Sequence, residues 1–313
     1  MAALWIIIVI IVAVLGYSLK STSGFLGRDD AHAFEDERTP GVPEQMKDYV
    51  RQARLSLPAL EQLPEEDLSI ASADGLKLAG RLYRTGKDHR QVVIAFHGYH
   101  GSDRLDMARF AAMYSRLGMD FLLISERSHQ RSEGRWITFG VRESEDGVRW
   151  CRKIIEIYGN DVRILLHGIS MGAATVDMMS GRGDLPEQVK GIVSDCAYDR
   201  MRTEADGVLQ GPSIVKETSI ALLDFWAGML AHFHLKDAEP IRAVAHTPVP
   251  ILFLHGESDT FVPTDCSRKL SAACAKPAGL VTFPGASHAC SYTVDPERYE
   301  KVFTEFCGSL SGR

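Results

Sequence analysis

Apolar and polar positions alternate along residues 68–72 (LSIAS) and again along 76–83 (LKLAGRLY), with Asp74-Gly75 between the two runs. A period of two on either side of Asp-Gly predicts a β-hairpin. Beyond it the pattern changes to short, nearly continuous apolar runs at 91–96 (QVVIAF), 120–125 (DFLLIS), 162–166 (VRILL), 191–194 (GIVS), 249–254 (VPILFL) and 280–283 (LVTF). Between and after them, helical spacing predicts helices at 104–117, 141–158, 173–179 and 296–310. Buried strands alternating with helices imply a mostly parallel sheet with helices on both faces. Ligands in such sheets sit beyond the carboxyl ends of the strands, so the chemistry is expected in residues just after them.

Two stretches break this rhythm. Residues 2–19 carry no charge. As a helix they span about 27 Å, which fits one membrane-spanning anchor. A cleaved signal peptide is the rival, with Ser21 and Ser23 as small residues for a cleavage site, but no Lys or Arg precedes the apolar run. A single-pass membrane localisation follows from the first reading. Lys20 and Arg28 lean towards a cytoplasmic body without deciding the side. Residues 20–66 read as a polar linker with a short helix, punctuated by Pro40, Pro43, Pro58 and Pro64, and residues 67–313 as the main folded domain.

The second stretch is 198–247. Within it, residues 213–233 are apolar at helical spacing, and Leu222, Leu223, Phe225, Trp226, Met229 and Leu230 cover more than one helix face. Lys216, Glu217 and Asp224 interrupt it too often for a second span. It is either a helix packed on the core or a small helical cap lining an apolar pocket.

Composition narrows the classes of function. The 313 residues suffice for one large α/β domain, with 45% hydrophobic and 24% charged residues. A net charge of −6 and the lack of any basic run give no reason to expect nucleic acid as a partner. The six cysteines form no C-x-x-C pair and read as small buried hydrophobes. His232 and His234 have no third ligand in spacing, so neither metal nor cofactor is expected. Arg182-Gly183-Asp184 spells an adhesion tripeptide, read here as chance.

The chemistry gathers on Gly168-Ile169-Ser170-Met171-Gly172, which joins a strand to a helix. G-x-S-x-G in that context describes a nucleophile elbow, with glycines where a Cβ would clash. His97-Gly98-Tyr99-His100-Gly101 follows another strand and lets the Tyr99 N–H join that of Met171 as an oxyanion hole, worth roughly 3 kcal/mol per donor. Asp259 follows VPILFLHGES and His288 follows VTFPGAS, the order nucleophile, acid, histidine. His288 would take the Ser170 proton and Asp259 would fix its tautomer. Asp195, after GIVS, is the alternative acid. His97 and His255 read as structural, and His129 as a brace for its loop.

The segments HGYHGS, GISMGAATV, LHGESDTFVP and FPGASHA resemble the α/β-hydrolase superfamily over residues 68–310. The chain is similar to membrane-anchored bacterial α/β-hydrolases of unassigned substrate, related to carboxylesterases and serine peptidases. The resemblance implies Ser170, Asp259 and His288 as a triad, with Tyr99 and Met171 as oxyanion donors. It implies hydrolysis of a small-molecule ester with an apolar part. A peptidase or thioesterase is the near alternative, and a non-catalytic membrane-tethered binding protein the distant one. Where relatives carry D-x-R-x-H-G-x-S after the fourth strand, this chain reads Glu126-Arg127-Ser128-His129-Gln130-Arg131-Ser132, which puts the shape of that loop in doubt.

Overall fold

A computed structural model describes residues 2–28, 44–85, 90–208 and 211–310. Two helices come first, α1 (Ala2–Leu26) and α2 (Glu44–Leu60). The hairpin follows as β1 (Glu65–Ala71) and β2 (Lys77–Tyr83), then β3 (Gln91–Phe96), α3 (Asp103–Arg116), β4 (Asp120–Ile124), α4 (Val141–Tyr158), β5 (Arg163–Ile169), α5 (Met171–Ser180) and β6 (Val189–Asp195). An excursion carries α6 (Met201–Val208), α7 (Ser213–Ala231) and α8 (Pro240–Val244). The chain closes with β7 (Ile251–Gly256), α9 (Asp265–Ala273), β8 (Pro277–Phe283), α10 (Ser291–Val294) and α11 (Pro296–Leu310).

The eight strands form one sheet in the order β1-β2-β4-β3-β5-β6-β7-β8. β1 and β2 pair antiparallel, β2 meets β4 antiparallel, and every other pairing is parallel. Because side chains alternate across a strand, β3 feeds both faces: Val93 and Ala95 join one core with Phe110, Tyr114 and Phe303, while Val92, Ile94 and Phe96 join the other with Trp150, Ile154 and Val176. With both faces covered, β3, β4 and β5 can be almost wholly apolar. A third apolar cluster lies beyond the strand ends and joins Leu26, Phe139, Met171, Tyr198, Ile220 and Val262.

The expected membrane span at residues 2–19 is not found: among the described residues no helix is long and apolar enough to cross a membrane. The side chains of residues 2–11, which hold most of that apolar run, lie outside the described residues. The helix also does not stop at residue 19. It continues to Leu26, and its last turns are part of the folded body: Thr22 and Leu26 are buried, and Trp226 Nε1 donates to Ser18 Oγ across 3.0 Å. The polar linker expected from residue 20 therefore begins, in part, as helix docked on the domain. Residues 29–43 of that linker lie outside the described residues. Its short helix is α2, seventeen residues long, which buries Tyr49, Val50 and Leu60 against α3.

Candidate active site

β5 delivers Ser170 at the middle of the sheet's carboxyl edge, and α5 begins at the next residue. Ser170 sits at φ 55°, ψ −117°, a conformation that non-glycine residues adopt only when their surroundings enforce it. Two glycines permit the turn. A Cβ on Gly168 would lie 2.2 Å from the Gly172 carbonyl oxygen, and one on Gly172 would lie 2.3 Å from that of Phe96. Either side chain would force the elbow apart. The Ser170 N–H donates to the Asp195 carbonyl at 2.8 Å, which ties the turn to β6.

The structure brings Ser170, His288 and Asp259 together from three separate strand ends. Ser170 Oγ lies 2.8 Å from His288 Nε2, and His288 Nδ1 lies 2.7 Å from Asp259 Oδ2. In this arrangement Nδ1–H donates to the carboxylate and Nε2 accepts from the serine, the tautomer a general base needs. The second Asp259 oxygen accepts from the N–H groups of Phe261 and Val262, both at 2.9 Å. Burial opposes the charge on Asp259, yet hydrogen bonds from His255 and His288 outweigh it and hold the carboxyl well below the usual carboxylate range.

His255 was legible in the sequence only as a strand-end histidine, and it supports the acid directly. Its Nε2 faces Asp259 Oδ2 at 3.2 Å and the Val262 carbonyl at 2.9 Å, while Nδ1 accepts from Ser267 Oγ at 2.7 Å. The spacing H-G-x-x-D was the available signal. Asp195, the alternative acid, does not reach His288 among the described contacts. It is fully buried, accepts from Tyr299 Oη at 3.0 Å and Ser291 Oγ at 3.3 Å, and burial raises its carboxyl above the ordinary value.

The loop at residues 97–101 lies against the elbow: a Cβ on Gly98 would be 3.6 Å from Ser170 Cβ. The amides around Tyr99 are fixed, Gly98 N–H on Asp106 Oδ2 at 3.0 Å and His100 N–H on His129 Nε2 at 3.1 Å. His97 pins the loop from below, with Nδ1 2.8 Å from the Gly98 carbonyl and Nε2 accepting the Glu126 N–H at 3.0 Å. Burial, with His97 nearby, keeps His129 well below the ordinary imidazole range, so it stays a neutral acceptor. Met171 opens α5, whose first-turn amides have no intrahelical partner.

Glu126, in the loop after β4, is buried with no hydrogen-bond partner for either oxygen among the described residues, and burial raises its carboxyl far above the ordinary value. Arg127 beside it is buried and gripped by Asp146, with Nε at 2.6 Å from Oδ2 and Nη2 at 2.9 Å from Oδ1. Gln130, which stands where that pattern has glycine, takes the left-handed backbone at φ 44°. Among the described residues, one group of possible metal donors occurs, Cys196 with Asp259 and His288, and two of its three members already form the hydrogen-bonded pair above.

No protein-family model matches the chain. It is similar to the uncharacterized protein YqkD of Bacillus subtilis, 22% identical over 258 residues that cover 81% of this chain and 82% of that one. It is likewise similar to the monoacylglycerol lipase of Mycolicibacterium smegmatis, 26% identical over 256 residues, 70% of this chain and 89% of that one. Among solved structures, the esterase Pf2001 of Pyrococcus furiosus superposes with a TM-score of 0.62 at 20% identity, covering 81% of this chain and 93% of the esterase.

Proposed function

We propose that this chain, a member of the α/β-hydrolase superfamily, is a serine hydrolase that cleaves carboxylic esters through an acyl-enzyme intermediate. The observation that carries this reading is the continuous relay from Ser170 Oγ through both nitrogens of His288 to Asp259, held on a strained elbow at the carboxyl edge of the sheet. Ser170 Oγ attacks the ester carbonyl while His288 Nε2 takes its proton. The carbonyl oxygen becomes an oxyanion beside the N–H groups of Tyr99 and Met171. Collapse expels the alcohol, which receives the proton from His288, and water repeats the sequence in reverse to release the acid.

Asp259 stays ionised throughout and stabilises the imidazolium. The apolar cluster of Phe139, Met171, Tyr198 and Val262 around the elbow favours a substrate with an apolar acyl or alcohol part. The names of two similar proteins, a monoacylglycerol lipase and an esterase, support the same substrate class. The test is a panel of p-nitrophenyl esters from acetate to palmitate, assayed with the full chain and with Ser170→Ala. Hydrolysis by the first and none by the second is expected; no turnover of any ester by the full chain would sink the ester reading.

A further inference from the structure

The segment at residues 25–28, where α1 ends, lies on the loop that carries Tyr99. The Tyr99 hydroxyl donates to the Phe25 carbonyl at 2.6 Å, and His100 Nε2 lies 3.2 Å from the Gly27 carbonyl. The Phe25 ring packs on Tyr99 with centroids 5.7 Å apart and stacks on Phe139 at 5.0 Å. Gly27 pairs with Trp136 in an isolated antiparallel bridge, flanked by the Ile137 N–H to Leu26 carbonyl bond at 2.7 Å and the Arg28 N–H to Arg135 carbonyl bond at 2.8 Å. Arg28 donates from its guanidinium to the Ser132 carbonyl at 2.6 Å and to that of Gln130. Leu26 is fully buried in the cluster that contains Met171.

A second observation is independent of these contacts. His100, Ser128, Gln130 and Phe139 are all non-glycine residues at positive φ, between 44° and 62°. Such a residue persists only where its surroundings over-determine it. All four lie in the two loops that residues 25–28 hold, and three of them touch the segment directly: His100 through its ring, Gln130 through its carbonyl and Phe139 through its stacked ring. Four of the eight non-glycine residues at positive φ among the described residues thus lie where an element more than seventy residues away in sequence packs on the loop beside Ser170.

We propose that residues 25–28 are a positioning strap that sets the Tyr99 N–H against Ser170 and so completes the oxyanion hole. The inference rests on the reading of Tyr99 and Met171 as oxyanion donors. The strap touches no reacting atom. It acts through the Tyr99 side chain, holding from outside a backbone amide that faces the substrate inside. Transition-state charge is sensitive to such placement, since a shift of about 1 Å in a positioned group can cost on the order of 10²-fold in rate.

The test uses two variants of the full chain, Tyr99→Phe, which deletes only the hydroxyl and keeps the backbone N–H, and Phe25→Ala, which removes the ring from Tyr99 and Phe139. Both should lower kcat about tenfold on a short ester with KM within twofold. Affinity for an alkylboronic acid, which places a charged oxygen in the hole, should fall by the same factor as kcat/KM. Circular dichroism and the folded fraction at the assay temperature should match the parent. Unchanged kcat and boronate affinity in both variants, or a loss of activity that tracks the folded fraction alone, would overturn the strap. Failure of the ester reading itself would appear separately, as parent protein without turnover.

Discussion

His255 Nε2 lies 3.2 Å from the same Asp259 oxygen, Oδ2, that accepts from His288 at 2.7 Å. One oxygen of a buried carboxylate is thus held by two imidazoles. Replacing His255 by leucine removes one partner from a buried charge and should cost about 1.5–3 kcal/mol in urea unfolding at pH 7. The pH dependence follows from the lowered carboxyl of Asp259. A depressed folded pKa gives stability that is complete above the unfolded value, near pH 4, and is lost only as pH falls through the folded value. The variant should lose that stability at a higher pH than the parent. Superimposable stability curves between pH 3 and 7 would contradict the arrangement.

The two acids are separated by their partners. Asp259→Asn should lower turnover by about 10⁴, the scale of a wrongly held histidine tautomer. Asp195→Asn should act mainly on stability, because its oxygens meet Tyr299 and Ser291 and its carbonyl meets the Ser170 N–H. Kinetics and thermal melting of both variants, run side by side, decide the matter. A larger kinetic loss for Asp195→Asn would move the acid.

The sequence spoke most clearly where a residue's chemistry and its backbone requirement coincide. G-x-S-x-G is legible because Gly168 and Gly172 are demanded by contacts of 2.2 and 2.3 Å, and Asp259 and His288 because each lies in the loop just after a strand. What touches an active site from far along the chain leaves no such mark. The short α6 and α8 and the docking of residues 25–28 depend on tertiary contacts that no local period encodes. The apolar N-terminal run was the costliest case. Absence of charge over residues 2–19 fits a membrane span equally well as a helix whose end packs on protein, and the burial of Thr22 and Leu26 and the Trp226 bond to Ser18 mark packing at its C-terminal end.

Glu204 lies on α6 with Cys266 Sγ 3.6 Å from its Oε1. Burial, aided by Asp199, pushes its carboxyl up to about 7 against the opposing pull of the Cys266 thiol. A folded pKa raised above the unfolded one means the native state binds the extra proton, so stability falls as pH rises from about 4.5 to 7. Glu204→Gln should remove that decline: its melting temperature should exceed the parent's at pH 8, and the two should converge at about pH 4. A constant difference at both pH values would show that Glu204 does not titrate as described.

α7 presents its apolar residues to different surroundings, with Phe225 and Met229 exposed. One face buries Ile220, Ala227 and Ala231, and Trp226 on another turns towards α1. Leu223 packs, half-buried, on the cluster that includes Met171 and Val262. Leu223→Ser should raise KM for a decanoyl ester about tenfold, the scale of a lost hydrophobic contact in a binding pocket, and leave acetyl ester kinetics nearly unchanged. Equal losses on both esters would make α7 a packing helix only.

The central claim is that Ser170 is the nucleophile. The most direct measurement is mass spectrometry of the full chain after treatment with an alkyl fluorophosphonate, with ester turnover followed in parallel. The account predicts one phosphonyl adduct, on the peptide containing Ser170, whose appearance matches the loss of activity. In Ser170→Ala it predicts no adduct and turnover reduced on the order of 10⁶-fold. An adduct on another residue that accounts for the lost activity, or undiminished hydrolysis by Ser170→Ala, would contradict it.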